Sequence, residues 1–356
     1  MMNKLGYSRK VAAVIVSGAM LGIGSGFSVA QAAEPVTITL GYQSLWAPAG
    51  EVTETLRHTN ILELNGIKAD FKTFTFGGPL GEAAVAGSID NIFAADAPVL
   101  RAAARLPGSK VLFRTHDSRF GIVVRSDFKG NSLADLKGKT LSGPFGTTTF
   151  PRSMRAIVAA GIKDPFSEMT IINQDVVEQT SAVQGKLVDA VTTWDPTMQR
   201  LLELKLGRIL WEAPKGAQIG HMALSGNWLK AHTPDDVNRF IKAWIMATWW
   251  TSRNIDQAHK WFATTSRLPP DVLKQASDYD RNLAHPIDDI NKVDLSINAD
   301  DIAGTQEVMD FLYERKLLNS KMNVAPFYDM QPLKRAQKEI AEGKLPDLNA
   351  IKIVTP

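Results

Sequence analysis

Two stretches of this chain repeat one pattern, and that pattern limits the fold more than any other feature. Phe71–Phe76 alternates as a strand. Gly77-Gly78-Pro79 then opens a helix over Leu80–Ala86 that Gly87 stops, and Ile89–Ala95 forms a second strand ending at Asp96. Farther on, Met169–Asn173 is a strand, Val177–Gln184 a helix stopped by Gly185, and Leu187–Thr193 a strand running into Trp194-Asp195-Pro196. An Ala-Val pair precedes each helix-ending glycine (Ala84-Val85, Ala182-Val183), and Asp90 and Asp189 open the two second strands. Alternating strands and helices imply parallel sheets covered by helices. The repetition implies two lobes of similar build. Ligands of open α/β sheets bind beyond the carboxyl ends of the strands, where Asp96 and Asp195 fall.

The flanking segments extend this reading. Val36–Tyr42 reads as the first strand, Gln43–Gly50 as a loop holding Trp46, and Glu51–Glu63 as a helix ended by Asn65-Gly66. Lys110–Arg125 holds two apolar stretches, Val111–Phe113 and Ile122–Val124, around a polar turn. A strand over Thr140–Ser142 leads through Gly143–Thr149 into a helix from about Arg152 to Ala160. The C-terminal third is helical. Thr233-Pro234-Asp235-Asp236 is a helix start, and Val237, Phe240, Ile241, Trp244 and Ile245 keep helical spacing, a stripe read as core. Further helices are expected at Asn254–Thr264, Asp271–Ser277, Ala303–Glu314 and Pro332–Glu342, with an extended tail.

Residues 1–33 carry the layout of a secretory signal: a basic zone from Lys4 to Lys10, an apolar zone from Val11 to Val29, and Ala30-Gln31-Ala32-Ala33 before Glu34. Lys4, Arg9 and Lys10 are the only charged residues before Glu34, and without them 37 basic residues face 37 acidic ones. The remainder is formally neutral, which argues against nucleic acid as a partner. The chain of 356 residues has no cysteine, which excludes disulfides, thiolate metal sites, cysteine nucleophiles and lipidation through cysteine. No two of the six histidines have metal-ligand spacing. His116-Asp117-Ser118 holds three triad residue types side by side, but consecutive residues do not form a triad. Neither a phosphate loop nor a Gly-x-Ser-x-Gly elbow is present. The expectation is a protein that is not an enzyme and has no cofactor.

What remains suits an anion. Gly77-Gly78-Pro79 and Gly146-Thr147-Thr148-Thr149 both precede helices, whose starts offer free N–H groups and the positive end of the dipole. Arg119, in the turn between the two apolar stretches, could pair with a sulfonate or carboxylate. Trp46 and Trp194 follow strand ends and could wall an apolar ligand.

These residues resemble a family. Gly41-Tyr42-Gln43, Gly87-Ser88-Ile89-Asp90, Asp96-Ala97-Pro98, Leu133–Lys139, Gly146-Thr147 and Trp194-Asp195-Pro196 stand in the order of the periplasmic substrate-binding proteins of the sulfonate, taurine and nitrate type that serve ABC importers. The resemblance implies an α/β, type II-like two-lobed fold. Each lobe is a mostly parallel sheet flanked by helices, with two crossing strands and extra C-terminal helices. Lobe one would be residues 34–118 and 222–356, and lobe two 119–221. Crossings would fall near Thr115–Ile122 and Gly220–Ser225. The ligand, a small organic anion such as a sulfonate or sulfate ester, would meet Gln43, Ser44, Trp46, Gly78 and Asp96 from one lobe. From the other it would meet Arg119, Thr147, Thr148, Trp194 and Asp195. The implied setting is the periplasm, as a monomer delivering ligand to permease subunits in the inner membrane. An aromatic carboxylate or thiamine-pyrimidine precursor, or a sensory role, is the alternative. Thiamine-pyrimidine synthases and aromatic desulfinases share the fold, but their cysteine chemistry has no residue to act through here.

Overall fold

A computed structural model describes residues 35–354; the expected signal segment 1–33 lies outside them. The chain begins with β1 (Val36–Gln43), α1 (Ala49–His58), α2 (Ile61–Leu64), β2 (Ile67–Phe74), α3 (Gly77–Val85), β3 (Asn91–Ala95), α4 (Asp96–Ala103) and β4 (Lys110–Asp117). It continues with β5 (Phe120–Arg125), β6 (Thr140–Gly143), α5 (Thr149–Ala159), α6 (Pro165–Glu168), β7 (Thr170–Asn173), α7 (Val176–Gln184), β8 (Ala190–Trp194), α8 (Thr197–Glu203) and β9 (Gly207–Glu212). It returns through β10 (Ile219–Leu224) to α9 (Gly226–Ala231), α10 (Pro234–Arg253), α11 (Ile255–Ser266), α12 (Pro270–Tyr279), α13 (Ala299–Glu314) and α14 (Gln331–Ala341).

The strands build two lobes of one topology. In the second, the order is β7-β6-β8-β5-β9, with β7, β6 and β8 parallel and β5 antiparallel to both β8 and β9. In the first, β1 and β2 pair in parallel, and β10 lies antiparallel between β3 and β4. Side chains at the head of β3 join these two parts. The Asp90 N–H donates to the Thr39 carbonyl at 2.9 Å, and the Asp90 carboxylate accepts from the Thr39 N–H at 2.7 Å. The Asn91 amide accepts from the Gly41 N–H at 2.7 Å and donates to the Gly41 carbonyl at 3.0 Å. The resulting order, β2-β1-β3-β10-β4, matches the second lobe position by position.

The repeated aspartates have one role. Asp189 bonds Thr140 just as Asp90 bonds Thr39, its N–H donating to the Thr140 carbonyl at 2.9 Å and its carboxylate accepting from the Thr140 N–H at 2.9 Å. Each clamps the head of the second strand of its unit to the neighbouring strand. Asn91 is fully buried, so Asn91→Ala would strand both backbone groups of Gly41. The expected cost is about 2–3 kcal/mol of folding stability, read from denaturant titration. A loss under about 0.5 kcal/mol would mean that the strand junction does not depend on this amide.

Three local departures from expectation have physical causes. The single helix expected over Glu51–Glu63 is split, because Thr59 turns extended and bridges Ile353, while Asn60 bonds the tail at Ala350 and Lys352. Strand β9 was not expected; its residues line up only because β5 offers a free edge. Helix α13 starts four residues early, where Asn298 and Asp301 form a reciprocal capping box. The start of α10 forms as read, with Thr233 as cap, Pro234 in the first turn and the Asp236 carboxylate accepting from the Thr233 N–H at 2.8 Å. Trp244 and Phe240 on α10 pack into the first lobe's core, Trp244 against Phe93 and both against Phe113.

Candidate functional site

The chain leaves the first sheet at Asp117 and enters the second at Phe120, then returns between Glu212 and Ile219. The return strand therefore joins the first sheet at Ile219, ahead of the expected boundary at residue 222. A cavity of about 20 Å³ lies between the lobes beside these crossings. It has room for about one water between the lobes. Its walls come from the carboxyl ends of strands and the loops that follow them: Gln43 and Trp46 after β1, Ala94, Ala95 and Pro98 at β3, Gly77 at α3, Thr147–Thr149 before and in α5, Trp194 at β8, and Gln218 on the return crossing.

Hydrogen bonds hold this wall in place. The Gln43 amide donates to the Phe93 carbonyl at 3.0 Å. The Trp46 indole donates to Ser118 Oγ at 3.0 Å, and its ring meets His116 edge-on at 4.2 Å. Burial pushes the His116 imidazole down to about 3, so it faces Trp46 uncharged. The Trp194 indole donates across the lobes to the Leu45 carbonyl at 2.8 Å. Thr149 donates to Gln218 Oε1 at 3.1 Å. No charged side chain is among the residues lining the cavity.

The threonine loop is engaged with the protein through its hydroxyls. Thr147 donates to the Pro144 carbonyl at 2.7 Å, and the Thr148 hydroxyl donates to the Asp96 carboxylate while accepting from the Ala97 N–H at 3.0 Å. The N–H groups of Thr147 and Thr148 meet no acceptor among the described residues, and they stand at the start of the 11-residue α5, where the helix dipole favours an anion.

Asp96 is the node of a cross-lobe cluster. Besides Thr148 it accepts from Arg152 Nη2 at 2.7 Å and from Thr305 Oγ1 at 3.3 Å, and Tyr328 donates to Thr305 at 3.2 Å. Burial alone would raise its carboxyl, but Arg152, His221 and Thr148 outweigh that and hold it below the ordinary range. Further bridges join the lobes: Thr75 to Asp175 at 3.0 Å, Arg155 to Glu307 at 2.8 Å, and Arg315 to the Lys163 carbonyl at 3.3 Å.

The remaining expected site residues lie elsewhere. Arg119 and Asp195 face each other, with guanidinium to carboxylate contacts of 2.7 and 3.2 Å and Arg119 also on Gln199 at 3.2 Å; neither lines the cavity. Burial pushes the Asp195 carboxyl up to about 6 although Arg119 pulls it down. Ser44 faces an outer groove with Thr73 and Thr265, its hydroxyl toward the Phe74 carbonyl at 3.3 Å. Gly78 lines a larger neighbouring chamber. Thus Gln43, Trp46, Thr147, Thr148 and Trp194 meet at one cavity. Gln218, Thr149 and Gly77 join them without having been singled out; Thr149 and Gly77 stand inside the helix-start motifs, whereas Gln218 sits in a segment with no local motif. Among the described residues no group of three acidic or histidine side chains could hold a metal.

Two α/β lobes of one topology, joined by two crossings with a seam between strand ends, define the class by fold: that of the periplasmic substrate-binding proteins. Within that class it is similar to proteins named for sulfonates. A protein of Bacillus subtilis (strain 168) named as an aliphatic sulfonates-binding protein is 23% identical over 311 residues, covering 86% of this chain and 90% of that one. The alkanesulfonate-binding protein SsuA from Xanthomonas axonopodis pv. citri, solved bound to MOPS, superposes with a TM-score of 0.67 at 25% identity, covering 84% of this chain and all of that one. The desulfurization enzyme DSZB shares the fold, with a TM-score of 0.60 at 15% identity over 86% of this chain and 99% of that one. No family model matches the chain.

Proposed function

We propose that this protein is exported by its first 33 residues to the periplasm, binds an organic sulfonate between its lobes, and delivers it as a monomer to the permease of an ABC importer without catalysing a reaction. The lobes of this reading are residues 35–117 with 219–354, and residues 120–212, joined by the two crossings. The observation that carries it is the match to sulfonate-named relatives over more than four-fifths of both chains. The site chemistry supports it. Neutral donors at the start of α5, between two tryptophans, suit an anion whose charge is spread over three oxygens and whose carbon end is apolar. A sulfonate is weakly basic, so it accepts N–H bonds without demanding a cation. The absence of cysteine supports a binding role over the desulfurization chemistry that occurs on the same fold.

The test is a thermal-shift screen of protein purified from a periplasmic fraction, with the mature N-terminus read by mass spectrometry. Alkyl and aryl sulfonates, taurine and sulfate esters are expected to raise the melting temperature; a ligand at 100 times its Kd contributes about 2.7 kcal/mol. Shifts produced only by carboxylates or pyrimidines would overturn the sulfonate reading while keeping the class. An N-terminus retaining residues 1–33 would overturn the export reading.

A further inference from the structure

Helix α13 has two working faces, and each meets a different lobe. Val308, Met309 and Leu312 are buried in the first lobe's core, and Thr305 on the same face bonds Asp96 and accepts from Tyr328. Beside that stripe runs a second, Gly304, Glu307, Phe311 and Arg315, each about one turn from the next. This stripe meets the second lobe. Phe311 packs against a core otherwise built from residues 122–211. The Arg315 guanidinium lies 5.5 Å over the Phe311 ring and donates to the Lys163 carbonyl at 3.3 Å. Glu307 pairs with Arg155 of α5 at 2.8 Å. Arg152, one turn before Arg155, passes α13 at Gly304, where an added Cβ would stand 4.0 Å from its Nη2.

The two faces are unequal. The apolar residues of the first-lobe face are fully buried, whereas Phe311 is half-buried and the Glu307–Arg155 pair is solvent-exposed. Opening the cleft would therefore leave α13 on the first lobe and part it from the second. The Phe311 ring would return to water, and Glu307 would separate from Arg155. Neither Glu307, Phe311 nor Arg315 lines the interlobe cavity, so these contacts are made by the protein with itself.

We propose that α13 is a clasp that holds the lobes together ahead of ligand, and so raises the affinity of every cleft ligand by one common factor. A ligand that binds only the closed arrangement has its apparent affinity reduced in proportion to the fraction of protein that is closed beforehand. A clasp built from the protein's own groups raises that fraction without touching the ligand. Its action is the same whether the ligand is a sulfonate or another anion.

Paired spin labels on the exported protein test it without any ligand. Lys68→Cys in the first lobe and Lys129→Cys in the second are exposed attachment points, in a chain with no other cysteine. Pulsed electron resonance then reads the interlobe distance. The labelled protein is expected to show mainly the short, closed distance with no ligand added. Phe311→Ala should lower the closed-to-open ratio on the order of tenfold, from the apolar area it uncovers, with the melting temperature nearly unchanged. Glu307→Lys sets like charges against each other across the lobes and lies on the surface, so it should fold normally and lower the ratio about threefold. Adding Arg155→Glu to it should restore the ratio. A labelled protein that shows only the long distance would overturn the clasp. So would a ratio that neither Phe311→Ala nor Glu307→Lys moves, or a fall in melting temperature with the ratio intact, which would assign the stripe to folding alone.

Discussion

Arg152→Ala is expected to weaken ligand binding on the order of 100-fold while leaving the unfolding midpoint of the unliganded protein nearly unchanged. Arg152 lies on α5 of the second lobe and Asp96 at the start of α4 in the first, 2.7 Å apart and both largely buried. Removing one member of a buried pair costs about 3–5 kcal/mol, because the other is left desolvated without its counter-charge. That cost is tied to the state in which the lobes are together. Moving them apart returns water to Asp96, so the loss appears as a shift away from closure, and a ligand gripped by both lobes binds more weakly in proportion. Calorimetry would read the affinity, and small-angle scattering of the unliganded variant should give a larger radius of gyration. A large drop in melting temperature with affinity intact would instead assign the pair to the fold of one lobe. The pH dependence follows in sign. The Asp96 carboxyl is held below its ordinary value, so the attraction is present at neutral pH and is lost only as pH falls through that depressed value. Between about pH 8 and pH 5 this pair should contribute no pH dependence to binding.

Trp244→Ala is expected to have the opposite signature. Trp244 is 1% exposed, with ring centroids 5.5 Å from Phe93 and 5.7 Å from Phe113, at the centre of the first lobe and away from the cleft. Truncation should cost about 3–5 kcal/mol of folding stability, seen as a lower denaturant midpoint, with the affinity of the folded fraction preserved. Its indole N–H is buried without a hydrogen-bond partner among the described residues. Trp244→Phe therefore removes an unmet donor along with some volume, and should cost much less, under about 1.5 kcal/mol. An equal loss for both variants would show that loss of the indole itself, rather than of the volume it fills, governs the site. Trp46 and Trp194 differ from it because both indoles are hydrogen-bonded at the seam between the lobes.

The sequence by itself determined the two strand–helix–strand units, the helix starts at Thr233 and after Gly146, the core face around Trp244, and the strand ends that border the interlobe cavity. These are local matters: periodicity, caps and glycine stops act over a few residues and read off directly. Even the paired Asp90 and Asp189 were visible as a repeat, although their role as clamps between strands was not. Tertiary structure alone decided who meets whom. Arg119 has the chemistry to hold an anion, but the fold sets it against Asp195; Asp96, the counterpart of Asp195 in the repeat, is matched instead with an arginine from the other lobe. Gln218 reaches the cavity from a crossing with no motif, β9 exists because β5 has an open edge, and Thr59 breaks a helix because the tail arrives some 290 residues later in the chain. A charge or a hydrogen-bonding group is satisfied by what lies within about 3 Å in space. Along the chain that distance has no fixed length, so composition and spacing name the available chemistry and only the folded lobes choose its partners.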